Sequence, residues 1–312
     1  MNIRSFQPGD EPVQVSLYNA AACLLPGFKP AKVEDVQKRT RVRGFDPTTR
    51  WYAEAAGEVV GYCVLEPQQG RVSFPWCKRG HDVGAELFAA ALAGARARGL
   101  TKLFAAYRHD WHPVQAFFER QGFALKREMV NFATDMHDLP TTRFGSTSAL
   151  AVLERKDLPE VAAIGAGVLQ LPLGKLDQYF FANLYFPAEC VRLLRSREDG
   201  SILALSLAIE QASYADVKMI DSQAPCFRLG AFGTEGLNTK RVNGLFSFLV
   251  RQPESAITHG LTLLADAVAS MTEGNVSTVA AQAPSDALHL MGFYNRYFKE
   301  QGRFPVYERE LG

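Results

Sequence analysis

Two periodicities divide the first 135 residues of the chain into strands and helices. Apolar, β-prone runs indicate strands at 3–6, 51–55, 58–65, 72–76, 103–107 and 124–134. Apolar side chains at helical spacing indicate helices that begin near Val13 and Val83, and further helices at 33–40 and 112–121. Ala56-Gly57 separates the second and third strands and predicts a hairpin. This order of elements predicts an α/β arrangement.

The stretch 71–99 combines a strand, a polar loop and an amphipathic helix. The loop is Lys78–Asp82, and the helix buries one face that carries Leu87, Phe88, Ala91, Leu92 and Ala95. Gly99 stands where a left-handed residue ends a helix. Free N–H groups at a helix N-terminus attract anions, so this arrangement predicts an anion site.

The pattern of elements starts again after a polar segment, 138–148, that reads as a linker. A strand at 149–155 precedes a helix near Asp157, and strands follow at 202–207 and 245–250. A helix at 259–271 and a strand at 276–281 complete the parallel. A repeat of about 150 residues is too long for a solenoid. We therefore expect two related domains, 1–140 and 148–312.

Composition excludes several classes of protein. Of the 312 residues, 34 are Lys or Arg and 33 are Asp or Glu, so no strong net charge favours nucleic acid or an anionic membrane. The N-terminus turns polar at once, which is not typical of a signal peptide. The 5 cysteines form no C-x-x-C pair. We expect reduced thiols, a cytoplasmic location and no metal site.

The loop 79–84 resembles the pyrophosphate-binding signature of the GNAT superfamily of N-acyltransferases, Arg/Gln-x-x-Gly-x-Gly/Ala. Arg79 and Gly84 fill its first and last positions, whereas Asp82 replaces the middle glycine. The hairpin 53–61, the segment 116–123 and the order of elements are also similar to the family. The resemblance implies two tandem GNAT-like domains, each a mixed, mostly antiparallel twisted sheet flanked by helices. This tandem plan is similar to that of mycothiol synthase.

The resemblance implies an enzyme that moves an acetyl or other short acyl group from CoA directly to an amine. Acetyl-CoA would be the acyl donor, and no metal is implied. In such proteins two parallel strands part, which exposes a backbone N–H to the thioester carbonyl. The implied contacts with the pantetheine arm and the pyrophosphate are Phe74, Trp76, Cys77, Arg79, Gly80, His81, Asp82, Val83, Gly84 and Ala85. In the alternative interpretation, 72–76 is a plain core strand and Arg79 is a solvated charge.

The family often carries a tyrosine, as general acid, four residues before a Gly-Phe pair. Phe118 occupies that position here. In the second half the counterpart is Leu288 or Phe298, according to whether Gly292-Phe293 or 302–304 represents the Gly-Phe pair. The first choice leaves 294–299 and 304–310 as a closing hairpin. Neither choice supplies a proton donor.

A polar cluster follows the strand 103–107, at the end of the strand where α/β sheets bind ligands. Tyr107, His109 and His112 are therefore the predicted catalytic residues, with a histidine as base at neutral pH. The alternative is a polar loop in which Asp110 and His112 cap the next helix.

Asp82 has two conflicting interpretations. As an N-cap it satisfies a free N–H of the following helix, and beside a pyrophosphate it competes for the same N–H groups. The corresponding loop of the second domain, 255–260, keeps only its last glycine, Gly260. We therefore expect CoA in the first domain.

Three functions compete for this sequence. The first is an N-acyltransferase with a small-molecule or peptide amine as acceptor. The second is a catalytically silent tandem module that binds or senses acyl-CoA or serves for association. The third, nucleotide binding at 79–84, lacks the Lys-Ser/Thr of a P-loop and ranks last. We expect neither nucleic acid nor membrane as a partner, and a homodimer is possible.

Overall fold

The computed structural model describes residues 1–41, 44–68, 70–141, 147–166, 168, 173–182, 186–210 and 242–312. These residues form two compact units. The first unit comprises residues 1–126 and 305–312, and the second comprises residues 127–304. The units therefore differ from the predicted domains 1–140 and 148–312, because the C-terminus returns to the first unit.

The first unit begins with the predicted alternation of strands and helices. Its elements are β1 (Asn2–Ser5), α1 (Glu11–Ala22), α2 (Val33–Thr40), β2 (Arg50–Ala55), β3 (Glu58–Glu66), β4 (Arg71–Val72), β5 (Trp76–Cys77), α3 (Gly84–Ala97), β6 (Lys102–Ala106) and α4 (His112–Arg120). The hairpin between β2 and β3 turns at Ala56 (φ 52°) and Gly57 (φ 81°), as the sequence predicts.

The predicted strand 72–76 is interrupted. Ser73–Pro75, which separates β4 from β5, leaves the ladder with β3. The Val64 N–H donates to the Ser73 hydroxyl at 2.8 Å, and Pro75 has no N–H to donate. β4 pairs with both β3 and β6, whereas β5 pairs only with β3 among the described strands. This interruption opens the sheet beside the loop 78–83.

The second unit repeats the first. Its elements are β7 (Ala124–Asp135), β8 (Ser148–Val152), α5 (Leu158–Gly165), α6 (Leu173–Phe181), β9 (Val191–Ser196), β10 (Ile202–Ile209), β11 (Gly244–Val250), α7 (Ala256–Glu273), β12 (Thr278–Pro284) and α8 (Leu288–Tyr297). The chain ends with β13 (Lys299–Glu310). The predicted hairpin at 294–299 and 304–310 is wrong, since β13 runs without a turn.

Strand order is the same in both units. The first runs β1-β2-β3-β4-β6-β13, and the second runs β8-β9-β10-β11-β12-β7. In each sheet the pairing is antiparallel except at one crossover, β4 with β6 or β11 with β12. The mixed, mostly antiparallel sheet flanked by helices is therefore confirmed.

The last strand of each sheet comes from the other half of the sequence. Residues 306–310 of β13 pair with β6, and residues 129–135 of β7 pair with β12. The sequence predicts β7 as the final strand of the first domain. The contacts place most of β7 in the second unit instead.

A buried aromatic cluster fills the first unit behind the interrupted strand. Tyr107 stacks between Trp111 and Phe118, with ring centroids 5.9 and 5.8 Å apart. Phe118 in turn lies 5.8 Å from Phe88 of α3. The cluster fixes α3 and α4 against the same region of the sheet. Within the described part of the chain, no helix is both long and apolar enough to span a membrane.

Candidate functional site

An open cleft of about 1010 Å³ lies in the first unit beside β5 and the loop 78–83. One wall is α1, which presents small and apolar residues from Val13 to Ala21, and Leu24 after the helix continues it. Phe117, Arg120 and Gln121, at the end of α4, line another part. Of the predicted cofactor contacts, the cleft is lined by Phe74, Trp76, Cys77, Arg79, His81, Asp82, Gly84 and Ala85. Tertiary structure therefore adds α1 and the end of α4, which the motif does not identify.

Two parallel strands part at this cleft. The recorded register between β4 and β6 pairs Arg71 with Phe104, and the Phe104 N–H donates to the Gly70 carbonyl at 2.8 Å. Beyond this point the chain at Phe74 is separated from β6 by a side chain, since the Phe74 N–H donates to the Tyr107 hydroxyl at 2.7 Å. The segment that follows β4 thus directs the Phe74 N–H into the gap between the two parallel strands.

The loop makes one tight turn before α3. The His81 N–H donates to the Lys78 carbonyl at 3.1 Å, and Gly80 takes the left-handed conformation (φ 86°). A residue with a side chain is strained at that φ, so glycine suits the position. The helix begins at Gly84, and no side chain caps it. Its first N–H groups are therefore available to an anion.

Asp82 does not cap α3. The N-cap is Val83, whose side chain has no polar atom, and Asp82 is exposed on the loop. The capping interpretation is therefore wrong. The Asp82 carboxylate remains a negative charge at the edge of a cleft whose geometry suits an anion.

Small residues keep the helix N-terminus close to the sheet. A Cβ on Gly84 would meet the Pro75 Cγ at 3.4 Å. A Cβ on Gly61 of β3 would stand 3.1 Å from both Cys77 Sγ and Val83 Cγ2. A larger residue at Gly61 crowds α3 against β5, whereas a Cβ on Gly84 makes an ordinary contact, so Gly61 is the glycine that the close packing requires.

The charges of the loop are unevenly paired. Lys78 bonds both carboxylate oxygens of Glu58 at 2.8 Å, and this hydrogen bond lowers the pKa of Glu58. Arg79 is exposed, and no described residue forms an ion pair or hydrogen bond with it. Arg79 is therefore a loop cation whose charge no described residue neutralises.

Burial raises the pKa of the Cys77 thiol to about 11. The thiol is half-buried in the cleft wall, and its thiolate is the form that attacks electrophiles. At neutral pH Cys77 is therefore a neutral, weakly nucleophilic group.

The predicted catalytic residues lie in different surroundings. His109 is exposed in the loop after β6, and its carbonyl accepts from the Gln115 side chain at 2.7 Å. His112 is exposed at the first position of α4. Tyr107 is buried, with its hydroxyl on the Phe74 N–H. None of the three lines the described cleft.

The predicted capping role of Asp110 and His112 is also wrong. No side chain caps α4, whose N-cap is Trp111. Asp110 instead binds the Arg108 guanidinium through both oxygens, at 3.0 and 2.8 Å. This pairing lowers the pKa of Asp110, so the carboxylate stays charged at neutral pH.

Hydrogen bonds at the helix starts align the two units. At the start of α4, the Trp111 N–H donates to the Arg108 carbonyl, and the Val114 N–H donates to the Trp111 carbonyl. At the start of α8, the Ala287 N–H donates to the Pro284 carbonyl, and the Leu290 N–H donates to the Ala287 carbonyl. These bonds equate Trp111 with Ala287, so Phe118 corresponds to Tyr294.

The alternatives predicted for the second unit, Leu288 and Phe298, are therefore both wrong. The Gly-Phe pair used for alignment has no counterpart after α8. Gly122 ends α4 with a left-handed residue (φ 77°), whereas Phe298 is extended and leads directly into β13. Tyr294 is fully buried, and burial raises its pKa, so its hydroxyl is neutral.

The loop before α7 does not resemble an anion site. The predicted loop 255–260 lies almost wholly within α7, which begins at Ala256. The segment that does precede the helix contains Pro253 and Glu254, and Arg251 is paired with Glu160. The Glu254 carboxylate would repel a pyrophosphate here, and Arg251 is already paired and does not offset that repulsion.

Buried polar atoms without a hydrogen-bond partner concentrate near the strand crossover of the second unit. They include Asn131 Nδ2, Gln282 Oε1, Ser206 Oγ, Ser247 Oγ and the Tyr294 hydroxyl. Asn131 and Gln282 are paired across β7 and β12 and share one hydrogen bond of 2.7 Å. The pair of β7 with β12 is thus polar at this position, where the corresponding pair of β13 with β6, Val306 and Ala106, is apolar.

Gly260 has a packing role. A Cβ there would stand 2.7 Å from Phe293 and 2.9 Å from Phe248, whose rings cannot give way easily. We expect Gly260→Ala to destabilise the protein by about 1–3 kcal/mol in urea denaturation, because it overpacks the core. Gly292→Ala is the control, since Gly292 is also helical and a Cβ there meets nothing within 4 Å. It should stabilise the protein by about 0.5–1 kcal/mol. Equal effects of the two would contradict this assignment.

Comparisons with known proteins agree with this geometry. Residues 15–123 match the model of the acetyltransferase (GNAT) family. A GCN5-related N-acetyltransferase from Sphaerobacter thermophilus superposes with a TM-score of 0.67 at 17% identity, over 99% of this chain and 95% of that one. A tandem GNAT protein from the clavulanic acid biosynthesis pathway has a TM-score of 0.54 at 16% identity, over 100% and 98%. No curated protein matches the sequence.

A third similar structure is a GCN5-related glucosamine N-acetyltransferase region of a fungal multi-domain GH3 β-N-acetylglucosaminidase. It has a TM-score of 0.65 at 14% identity and matches 99% of this chain, which spans only 38% of that longer protein. At these identities the likeness concerns the fold.

The fold and the family match together place this chain among proteins with the GNAT fold. Residues 15–123 match the GNAT family model, and the chain over its full length has the tandem GNAT fold. The family uses acetyl-CoA as its donor. Among the described residues, no three His, Cys, Asp or Glu side chains are arranged to hold a metal ion.

Proposed function

We propose that the protein transfers an acetyl or other short acyl group from CoA directly to the amine of a small-molecule or peptide acceptor. The observation that carries this proposal is the cleft at the parted strands, which joins the loop 78–83, the uncapped start of α3 and the exposed Arg79. The pyrophosphate binds at Arg79 and the first N–H groups of α3. The pantetheine arm follows Phe74–Cys77.

The electrostatics support a first-unit donor site. Arg79 provides a cation that no described residue neutralises, whereas Arg251, which precedes α7 in the second unit, is already paired with Glu160. The acceptor enters beside α1, where Ser16, Leu17 and Ala20 line the cleft. Acyl transfer requires this proximity more than it requires a covalent intermediate.

Two measurements test the proposal. Calorimetry with acetyl-CoA should give one site per chain, and a thiol reagent should detect CoA release when amines of increasing size and polarity are added. Binding at two equal sites, or no binding, would contradict the proposed site. Binding without release for any amine class favours the second candidate.

That second candidate is a catalytically silent module that senses acyl-CoA or serves for association. Phe118 favours it, because a phenyl ring cannot protonate the leaving thiolate. Asp82 also favours it, since its charge opposes the pyrophosphate. A thiolate with a pKa of about 8.5 is nevertheless a fair leaving group without an acid.

We expect Cys77→Ser to retain at least half of the acyl transfer rate. The raised pKa of Cys77 leaves little thiolate at neutral pH, which favours direct transfer over an acyl-cysteine intermediate. Transfer assays, together with mass spectrometry of the protein incubated with acetyl-CoA, check this expectation. Loss of transfer in the variant, with an acetylated Cys77 in the wild type, would identify a covalent route.

We expect Asp82→Gly to tighten CoA binding several-fold. The substitution removes a like charge from the pyrophosphate, and the gain should shrink at high salt because the repulsion is screened. The melting temperature should change little, since Asp82 caps no helix. Glu34→Gln, which removes an exposed charge from α2, is the control and should leave affinity unchanged. Unchanged affinity in Asp82→Gly would mean that the phosphates lie elsewhere.

A further inference from the structure

The Phe74 N–H is held by a side chain at the place where the sheet opens. Its partner, the Tyr107 hydroxyl, accepts at 2.7 Å. Tyr107 comes directly after β6, and its ring is fixed by stacking on Phe118 and Trp111. A backbone N–H that faces a gap between strands needs an acceptor, and here a phenol oxygen supplies it.

In the second unit a tyrosine lies near the corresponding backbone N–H, but this tyrosine belongs to α8 and not to the segment after a strand. The parallel registers equate Arg71 with Leu245, so Phe74 corresponds to Phe248. The Tyr294 hydroxyl faces the Phe248 N–H and the Ser247 hydroxyl, but it completes no hydrogen bond with either. The helix alignment that equates Phe118 with Tyr294 also equates Tyr107 with Ala283. Each gap therefore has one tyrosine hydroxyl, at position 107 in the first and on the last helix in the second.

We propose that Tyr107 determines the preference of the first unit for acylated over free CoA. In the empty site its hydroxyl occupies the Phe74 N–H. When an acyl-CoA binds, the acyl carbonyl oxygen takes over this N–H and displaces the hydroxyl, whereas free CoA has no acyl carbonyl and leaves the contact intact. Tyr107 is thus a specificity-determining residue. This inference rests on the proposed binding of acyl-CoA at Phe74–Ala85.

The two acceptors compete for one donor. A carbonyl oxygen and a phenol oxygen bind an amide N–H with similar strength, so acyl-CoA gains little from the exchange. Removing the phenol oxygen leaves the N–H for the carbonyl alone. Acetyl-CoA should then bind about threefold to tenfold more tightly, the range expected for one neutral hydrogen bond.

Calorimetry with acetyl-CoA and with CoA tests this inference without an acceptor amine. In Tyr107→Phe the ratio of the CoA Kd to the acetyl-CoA Kd should rise about threefold to tenfold. In Tyr107→Phe/Phe118→Tyr the ratio should return towards the wild-type value, since position 118 corresponds to Tyr294. Tyr307→Phe is the control, because it removes another buried hydroxyl of the first unit, one bonded to Glu119 at 3.0 Å. Its ratio should equal the wild-type ratio.

A measurement on the wild-type chain keeps the test independent of how the variants fold. With ¹⁵N-phenylalanine label, the Phe74 amide resonance should shift on addition of acetyl-CoA by more than on addition of CoA. An unchanged Kd ratio in folded Tyr107→Phe, or equal shifts with both ligands, would overturn the inference while CoA binding itself stands. Absence of any CoA binding would instead overturn the proposed function.

Discussion

Arg79→Ala is expected to weaken acetyl-CoA binding about 10-fold to 100-fold. The guanidinium is exposed at the cleft and has no described partner, so it meets the pyrophosphate without first breaking an ion pair. A hydrogen bond between two charged groups contributes about 1.5–3 kcal/mol, which corresponds to that range of affinity. Calorimetry at two salt concentrations measures the effect, and the loss should be larger at the lower one.

Arg96→Ala provides the matched control for this prediction. Arg96 is an exposed arginine in the last turn of α3, so the substitution changes the net charge equally at the opposite end of the same helix. Its effect on affinity should be less than twofold, because the two ends are separated by more than a Debye length. Equal losses in both variants would show that general charge, and not the loop, attracts the ligand.

Trp111→Ala is expected to destabilise the protein by about 3–5 kcal/mol, the cost of removing a large buried ring. The side chain is only 1% exposed, and its indole N–H donates to the Pro26 carbonyl at 2.8 Å. Its ring also lies 6.2 Å from that of Trp76 in the cleft wall. The residue therefore joins the start of α4 to the segment after α1.

Urea denaturation measures this loss, with Trp111→Phe as the intermediate case. Phenylalanine keeps much of the ring but leaves the Pro26 carbonyl without its donor, so we expect a loss of about 1–3 kcal/mol. Trp51→Phe is the control for the change of residue type, because Trp51 is half-exposed and its indole makes no described hydrogen bond. Similar losses at positions 111 and 51 would contradict the assigned role of Trp111.

Local sequence patterns predicted the elements around the cleft well. The helix 33–40 is α2 to the residue, and the hairpin at Ala56-Gly57 turns where expected. Such features depend on neighbours within a few residues, such as the apolar period of a helix or the tolerance of glycine for positive φ. The strand 72–76 was predicted as continuous, because its break depends on a hydrogen bond between Ser73 and Val64 of another strand.

The role proposed for Tyr107 is visible only in part from the sequence. Its position after a strand placed it among the catalytic candidates, with His109 and His112. Its contact with the Phe74 N–H requires two strands that part and a stacked ring, which no linear pattern records. Tyr294 was missed for a related reason, since the glycine that marks the end of α4 is absent after α8.

The sequence by itself determined the repeated order of strands and helices, the loop before α3 and the presence of Arg79 and Asp82 in that loop. These follow from periodicity and from residue types at short spacing. Only the tertiary structure decided which strand completes each sheet, because residues 305–312 and 127–135 choose partners far away in the sequence. It also decided that Asp82 leaves α3 uncapped and that α1 forms one wall of the cleft. The burial of side chains, the pairing of strands and the position of the uncapped N–H groups of α3 all depend on contacts between distant segments. These contacts form the cleft beside the loop 78–83.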